Sequence, residues 1–271
     1  MDDILTNLGD DALTRAIKAN VYLCWHVVLR SPGVEIITGP KLTCWHTAVP
    51  LHLFQIILIK QPGDDGDKHM LQEAIDFFTV RGVTALTCFF DVGVPVAGWI
   101  EPLRELGFTL DAGMPGLAID LDLLREGRPV AGEFHIQAIQ DHEAFSEWVR
   151  PYILGSEMSS EVGEPLFDLF ARAGHQLPFR HYMGYLDGKP VATSSLFLGA
   201  GVAGIYNVAT LPEARRKGIG AAVTAAPLKD AKSLGYRAGI LHASPMGLPV
   251  YERLGFRRLC NVEWYLWKKP V

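Results

Sequence analysis

An α/β (α+β) architecture of two similar units, each a mixed, mostly antiparallel sheet flanked by helices, follows from three features of the 271-residue sequence. At about 100–200 residues per domain, this length suggests two domains. Stretches of strand period and helix period alternate along the chain. The run Leu103-Arg104-Glu105-Leu106-Gly107-Phe108 returns as Tyr251-Glu252-Arg253-Leu254-Gly255-Phe256. Each copy follows a strand and short helix and precedes another strand, so duplication explains the match better than chance.

The elements follow in order. Leu13, Ala16, Ile17, Val21, Cys24 and Val28 share one helical face and predict a helix over 11–30, ended by Ser31-Pro32-Gly33. Short strands are predicted over 34–38, 42–47 and 54–60, then a turn-rich acidic loop, QPGDDGD, over 61–67. A helix over 68–80, a strand over 83–90, a helix over 96–106 and a strand near 117–121 complete a first half spanning 1–123. Arg125, Gly127 and Pro129 mark 124–133 as a linker. The second half, 134–271, opens with a strand over 134–139. Asp141 caps a helix running through 153, and a second helix follows near 164–173. A hairpin joins 181–186 to 191–198 through Asp187-Gly188-Lys189-Pro190. A strand over 202–210, a helix over 218–234, a strand over 237–243, a helix over 247–254 and a strand over 257–267 close the chain.

Composition excludes several classes of protein. With 49% hydrophobic and 20% charged residues the chain is an ordinary globular protein. No apolar run reaches the ~18 residues of a membrane span. Met1-Asp2-Asp3 lacks the basic start of a secretory signal, so a cytoplasmic location without membrane association is expected. Cys24, Cys44, Cys88 and Cys260 show neither close pairing nor metal-ligand spacing; reduced thiols and no metal are expected. A net charge of −5 argues against a nucleic-acid partner. Residues 1–132 hold 10 Lys and Arg against 17 Asp and Glu, whereas the rest hold 15 against 13. An anionic ligand therefore belongs with the second half.

The segment Val208-Ala209-Thr210-Leu211-Pro212-Glu213-Ala214-Arg215-Arg216-Lys217-Gly218-Ile219-Gly220-Ala221 carries that ligand chemistry. A strand ends, a basic loop follows, and two glycines open a helix. Gly218 and Gly220 let the backbone approach a ligand closely. The free N–H groups of the new helix face that ligand with a positive dipole end, and Arg215, Arg216 and Lys217 add charge. The physics is that of a pyrophosphate site. The spacing matches neither GxxxxGK[ST] nor a GxGxxG after a first strand.

Arg215-x-x-Gly218-x-Gly220 instead resembles the acetyl-CoA signature of the GNAT (N-acetyltransferase) superfamily. Ser244 through Phe256, SPMGLPVYERLGF, resembles the superfamily's segment after its fifth strand, in which an Asn or Ser precedes a Tyr by seven residues and Leu-Gly-Phe follows. The resemblance covers nearly all of the second half. It departs where many relatives carry Asn at the position of Ser244 and where Pro245 and Pro249 crowd the helix start.

The resemblance implies two GNAT-like units and acetyl-CoA as acyl donor. Backbone at Val208, Ala209 and Thr210 would pair with pantetheine like an added strand. The loop through Arg216, Lys217, Gly218, Ile219, Gly220 and Ala221, with Arg215 of the signature, would hold the pyrophosphate. Ser244 would meet the pantetheine arm, and Tyr251 would protonate the departing thiolate. The acceptor would be the amine of a small molecule or peptide. For its general base, Glu157, Glu161, Glu164, His181, His242 and a relayed water all stand open. Asp64, Asp65 and Asp67 would repel a phosphate in the first half, which is expected to be a degenerate copy that walls the acceptor pocket, supports its neighbour or forms a homodimer. A tandem acyltransferase resembling mycothiol synthase and a non-catalytic acyl-CoA-binding module are the alternatives.

Overall fold

The computed structural model describes residues 3–64, 67–173 and 178–270. Its elements are α1 (Asp10–Val28), β1 (Glu35–Thr38), β2 (Leu42–His46), β3 (Gln55–Ile59), α2 (Asp67–Thr79), β4 (Ala85–Phe90), α3 (Ile100–Glu105), β5 (Thr109–Asp120), β6 (Phe134–Ala138), α4 (His142–Gly155), α5 (Gly163–Ala173), β7 (Phe179–Leu186), β8 (Lys189–Gly199), β9 (Val202–Thr210), α6 (Ile219–Ser233), β10 (Ala238–His242), α7 (Leu248–Leu254) and β11 (Arg257–Lys268). The predicted helices and strands all form, with ends displaced by a few residues. The exception is β5, expected near 117–121, which is a twelve-residue strand.

The chain forms two compact units, and they are not the contiguous halves expected from the sequence. The larger comprises Met1–Val28 and Met114–Asn261, the smaller Leu29–Gly113 and Val262–Val271. Two long-range placements cause the difference. The buried stripe of α1, including Leu13, Ile17, Asn20 and Cys24, packs on β8 and β9 of the larger unit. Each copy's last strand also completes the other copy's sheet: β5 pairs with β10, and β11 pairs with β4, both antiparallel.

In the larger unit the strands run β6-β7-β8-β9-β10-β5. All neighbours there are antiparallel except β9 and β10, which are joined by α6 and run parallel. Leu196, Ile205, Leu228, Leu241, Tyr251 and Leu254 build the core beneath α6 and α7. Asp141 caps α4 as expected, its carboxylate accepting from the Ala144 N–H at 2.9 Å. The smaller unit repeats the plan with β1-β2-β3-β4-β11, its parallel pair β3 and β4 joined by α2. The run Ile56-Ile57-Leu58-Ile59 is buried on both faces, as a central parallel strand requires.

Candidate functional site

The site of the larger unit begins where two strands part. β9 and β10 pair through Ala203 with Gly239, Gly204 with Ile240, and Ile205 with Leu241. Beyond that rung, Tyr206 to Thr210 keeps β8 on one side, and among the described residues no strand pairs with it on the other. Val208 and Ala209 thus lie on an edge without a second strand partner, onto which an extended ligand can add, whereas the Thr210 carbonyl already accepts from Arg215. The matching pair in the smaller unit stays closed. Ile59 pairs with Phe90, and the Asp91 N–H still donates to the Ile59 carbonyl at 2.8 Å.

A bulge sits at the mouth of the open fork. Thr193 faces Ala209 and Ser195 faces Tyr206, so Asn207 and Val208 together oppose Ser194. Asn207 takes a φ of 52°, which Asn tolerates better than most residues. Two side chains of β8 hold it there. Thr193 Oγ1 donates to the Asn207 carbonyl at 2.9 Å, and Asn207 Nδ2 donates to Ser195 Oγ at 3.1 Å. Ser195 Oγ in turn lies 2.7 Å from His181 Nδ1. His181 is fully buried against Phe145, Trp148 and Phe179, a core position that supports the bulge from behind. No motif marks this relay in the sequence; an Asn inside a strand pattern is its one local signal.

After β9 the backbone turns through a short 3-10 helix at Pro212–Ala214 into α6. Gly218 has a φ of 87°, and a Cβ there would lie 2.9 Å from the Arg128 carbonyl oxygen. Gly220 differs: a Cβ would meet nothing nearer than Thr210 Oγ1 at 3.7 Å. The first bond of the helix is the Ala222 N–H to the Gly218 carbonyl, so Ile219, Gly220 and Ala221 present N–H groups without an intrahelical acceptor. No side chain caps this end. The missing Cβ of Gly220, three N–H groups without an acceptor among the described residues, and exposed Arg216 and Lys217, which form no ion pair among them, fit an anion such as a diphosphate. Arg215 is placed otherwise. Its guanidinium donates to the Thr210 and Gly155 carbonyls at 3.1 and 3.0 Å and to Glu157 at 2.8 Å, tying the end of α4 to the end of β9.

Tyr251 lies on α7 with its ring buried against Phe256 and Gly247. Its hydroxyl has no hydrogen-bond partner among the described residues, and burial pushes its pKa up to about 12. It is a protonated donor across the physiological range. Ser244 Oγ accepts from the Gly247 N–H at 3.1 Å and so shapes the entry to α7, keeping its own proton to donate. Of the carboxylates considered as a base, Glu157 is paired with Arg215, and Glu161 and Glu164 are exposed. His242 ends β10 at the fork.

The corresponding loop of the smaller unit is filled by its own side chains. Asp67, almost wholly buried, accepts from Lys41 Nζ at 2.9 Å and from the Asp64 N–H at 2.6 Å. Trp99 Nε1 donates to the Gln61 carbonyl at 2.9 Å, and a Cβ on Gly98 would lie 2.4 Å from the Gly63 oxygen. Asp65, counted among the repelling carboxylates, lies outside the described residues.

Residues 142–256, which hold the open fork, the bulge and the glycine turn, match the acetyltransferase (GNAT) family. A comparison with curated proteins gave no match. Among solved structures the whole chain is similar to a GCN5-related N-acetyltransferase from Kribbella flavida, with TM-score 0.66 and 18% identity over 98% of this chain and 97% of that one. It is similar also to a functionally unknown conserved protein from Staphylococcus epidermidis, with TM-score 0.61 and 16% identity over 89% and 95%. A tandem GNAT protein from the clavulanic acid biosynthesis pathway gives TM-score 0.57 and 14% identity over 99% and 98%. At these identities the likeness concerns the fold, and it extends over both units. Among the described residues no helix is long and apolar enough to cross a membrane.

Proposed function

We propose that this protein is an acetyl-CoA-dependent N-acetyltransferase that moves the acetyl group directly onto the amine of a small molecule or peptide, with one cofactor site per chain. The observation that carries the reading is the edge of β9 past Ile205, which β10 no longer covers, followed after one short turn by an uncapped, glycine-lined helix start. An edge long enough for an extended arm and a turn suited to a diphosphate are joined in the order that coenzyme A requires. The closed β3–β4 pair and the Lys41–Asp67 plug favour a single site.

Acetyl-CoA supplies an acyl group already activated as a thioester. Ile219, Gly220 and Ala221 hold the diphosphate through backbone N–H groups, with Arg216 and Lys217 beside them. Backbone at the Asn207–Val208 bulge stabilises the developing negative charge on the acyl oxygen. Tyr251 gives its hydroxyl proton to sulfur. The test is calorimetric titration with coenzyme A, followed by thiol release from acetyl-CoA with glucosamine, 2-phenylethylamine and a lysine-containing peptide. Binding with 1:1 stoichiometry and amine-dependent thiol release are expected. A protein that ignores the coenzyme, or binds two equivalents, would overturn the reading.

A further inference from the structure

We infer that the acceptor amine is received on the α1 side of the β9–β10 fork, where Nε2 of His242 accepts the hydrogen bond from its nitrogen and aims the lone pair at the acyl carbon. This rests on the transfer reaction proposed above.

Tyr206 and His242 are the first residues past the last rung of the parallel pair. They flank the crotch at which an acyl group carried along 206–210 ends. Alternation along each strand sorts the side chains at that point. Ile205, Leu241 and Ala243 enter the core shared with Leu228 and Tyr251 beneath α6 and α7. Tyr206 and His242 therefore lie on the opposite face, their ring centroids 6.1 Å apart. One face of the crotch is apolar and filled; the other is polar.

α1 covers that polar face, and it is fixed there. The Tyr206 hydroxyl donates to Asn20 Oδ1 at 2.7 Å, and Asn20 Nδ2 donates to the Gly199 carbonyl at 2.8 Å. A Cβ on Gly204 would sit 2.2 Å from Asn20 Oδ1, so the glycine is what lets α1 approach. Asn20 and Tyr206 thereby satisfy each other. His242 does not share in this network. Its Nε2 is shut away from solvent and has no hydrogen-bond partner among the described residues. A buried polar atom left unpaired is costly and uncommon, and a ligand N–H at the crotch would remove the cost.

Burial also lowers the imidazole pKa to about 4, so the ring is neutral at physiological pH. With its proton on Nδ1, such a ring accepts at Nε2 and receives the neutral, nucleophilic form of an amine. As the C–N bond forms and the C–S bond breaks, Nε2 of His242 takes the nitrogen's proton and the ring releases the one on Nδ1 to water. Sulfur takes its proton from Tyr251, which regains one from solvent.

The experiment compares the full-length protein with His242→Phe, which keeps a ring without an acceptor, and His242→Gln, which keeps an acceptor. The amines are n-propylamine, as a minimal probe, and whichever of the three panel amines turns over fastest. His242→Phe should raise the amine KM by about tenfold or more and lower kcat, with coenzyme A affinity unchanged. His242→Gln should recover part of the loss. A second readout needs no turnover: in the unsubstituted protein labelled with ¹⁵N-histidine and saturated with coenzyme A, n-propylamine should shift the Nε2 resonance of His242. Unchanged amine kinetics in His242→Phe would overturn the inference, and so would an unmoved Nε2 resonance. If His242→Phe fails to bind coenzyme A, the resonance titration decides alone. A parent protein that binds coenzyme A yet releases no thiol with any amine marks failure of the transfer reading itself, and this inference falls with it.

Discussion

Ser194 donates its hydroxyl proton to the carbonyl oxygen of Val223 at 2.6 Å, and that carbonyl lies four residues before Pro227 in α6. Proline has no N–H, so Val223 has lost the helical donor it would otherwise have. A fully buried serine on β8 replaces it and ties α6 to the sheet. Ser194→Ala should cost ~1–3 kcal/mol, because it leaves a buried carbonyl unpaired. Restoring the donor with Pro227→Ala should reduce that cost. Denaturant unfolding of both single variants and the double variant measures the coupling; equal costs in the two backgrounds would show that the hydroxyl and the proline are unrelated.

The two glycines of the turn should separate stability from binding. Gly218→Ala forces a Cβ into a left-handed backbone beside the Arg128 oxygen, so it should destabilise the chain. Gly220→Ala meets only an ordinary van der Waals contact, Thr210 Oγ1 at 3.7 Å, in a helical first turn. It should leave stability unchanged or raise it by up to ~1 kcal/mol, since alanine is the better helix former. The same methyl group would stand where the diphosphate is placed, so coenzyme A affinity should fall. A Gly220→Ala protein that binds coenzyme A like its parent would remove the turn from the cofactor site.

Tyr251→Phe tests the acid. The ring is buried and its hydroxyl bonds to nothing in the described structure, so removing one oxygen should disturb packing little. Turnover should fall by ~10²–10⁴-fold while acetyl-CoA binding persists. Because the protonated form is the active one and its pKa is about 12, Tyr251 should impose no alkaline loss of kcat below about pH 11. A rate that survives the substitution would assign proton delivery to another group.

Most of this architecture was legible in the chain because local signals dominated. The period-2 run of β9, the Asp141 cap and the glycines opening α6 each rest on neighbours within a few residues. What failed was long-range. Nothing near Leu13 or Ile17 says which sheet buries their face, and the exchange of β5 and β11 depends on pairing partners far along the chain. Gly113, Pro115 and Gly116 look like breakers and hide the first half of β5, yet Pro115 still accepts from the Ala243 N–H at 2.9 Å. Arg215 matched the signature, but its spacing could not show that Gly155, Glu157 and Thr210 would engage it. The Asn207 bulge was hidden for a related reason, since a bulge is a property of two strands and the period of one does not contain it.

Acid should weaken the fold, and His242 supplies part of the reason. Burial holds its pKa near 4 in the folded chain, against an ordinary 6.5. The unfolded chain therefore binds this proton first. Stability falls as pH drops below 6.5, and the loss levels off below about 4. At 1.36 kcal/mol per pKa unit the full loss is at most roughly 3 kcal/mol. His52 is lowered by burial too and acts in the same sense. Glu35, Glu101 and Asp122, held down by Arg81, Arg104 and Lys232, sit at the surface and matter only as pH falls below the carboxylate range. His242→Phe has no proton to bind, so its unfolding free energy should fall less than the parent's between pH ~7 and ~4, as followed by urea denaturation. Parallel losses in the two proteins would mean that the imidazole is not held neutral at the fork, and the acid sensitivity would then belong to His52 and the carboxylates.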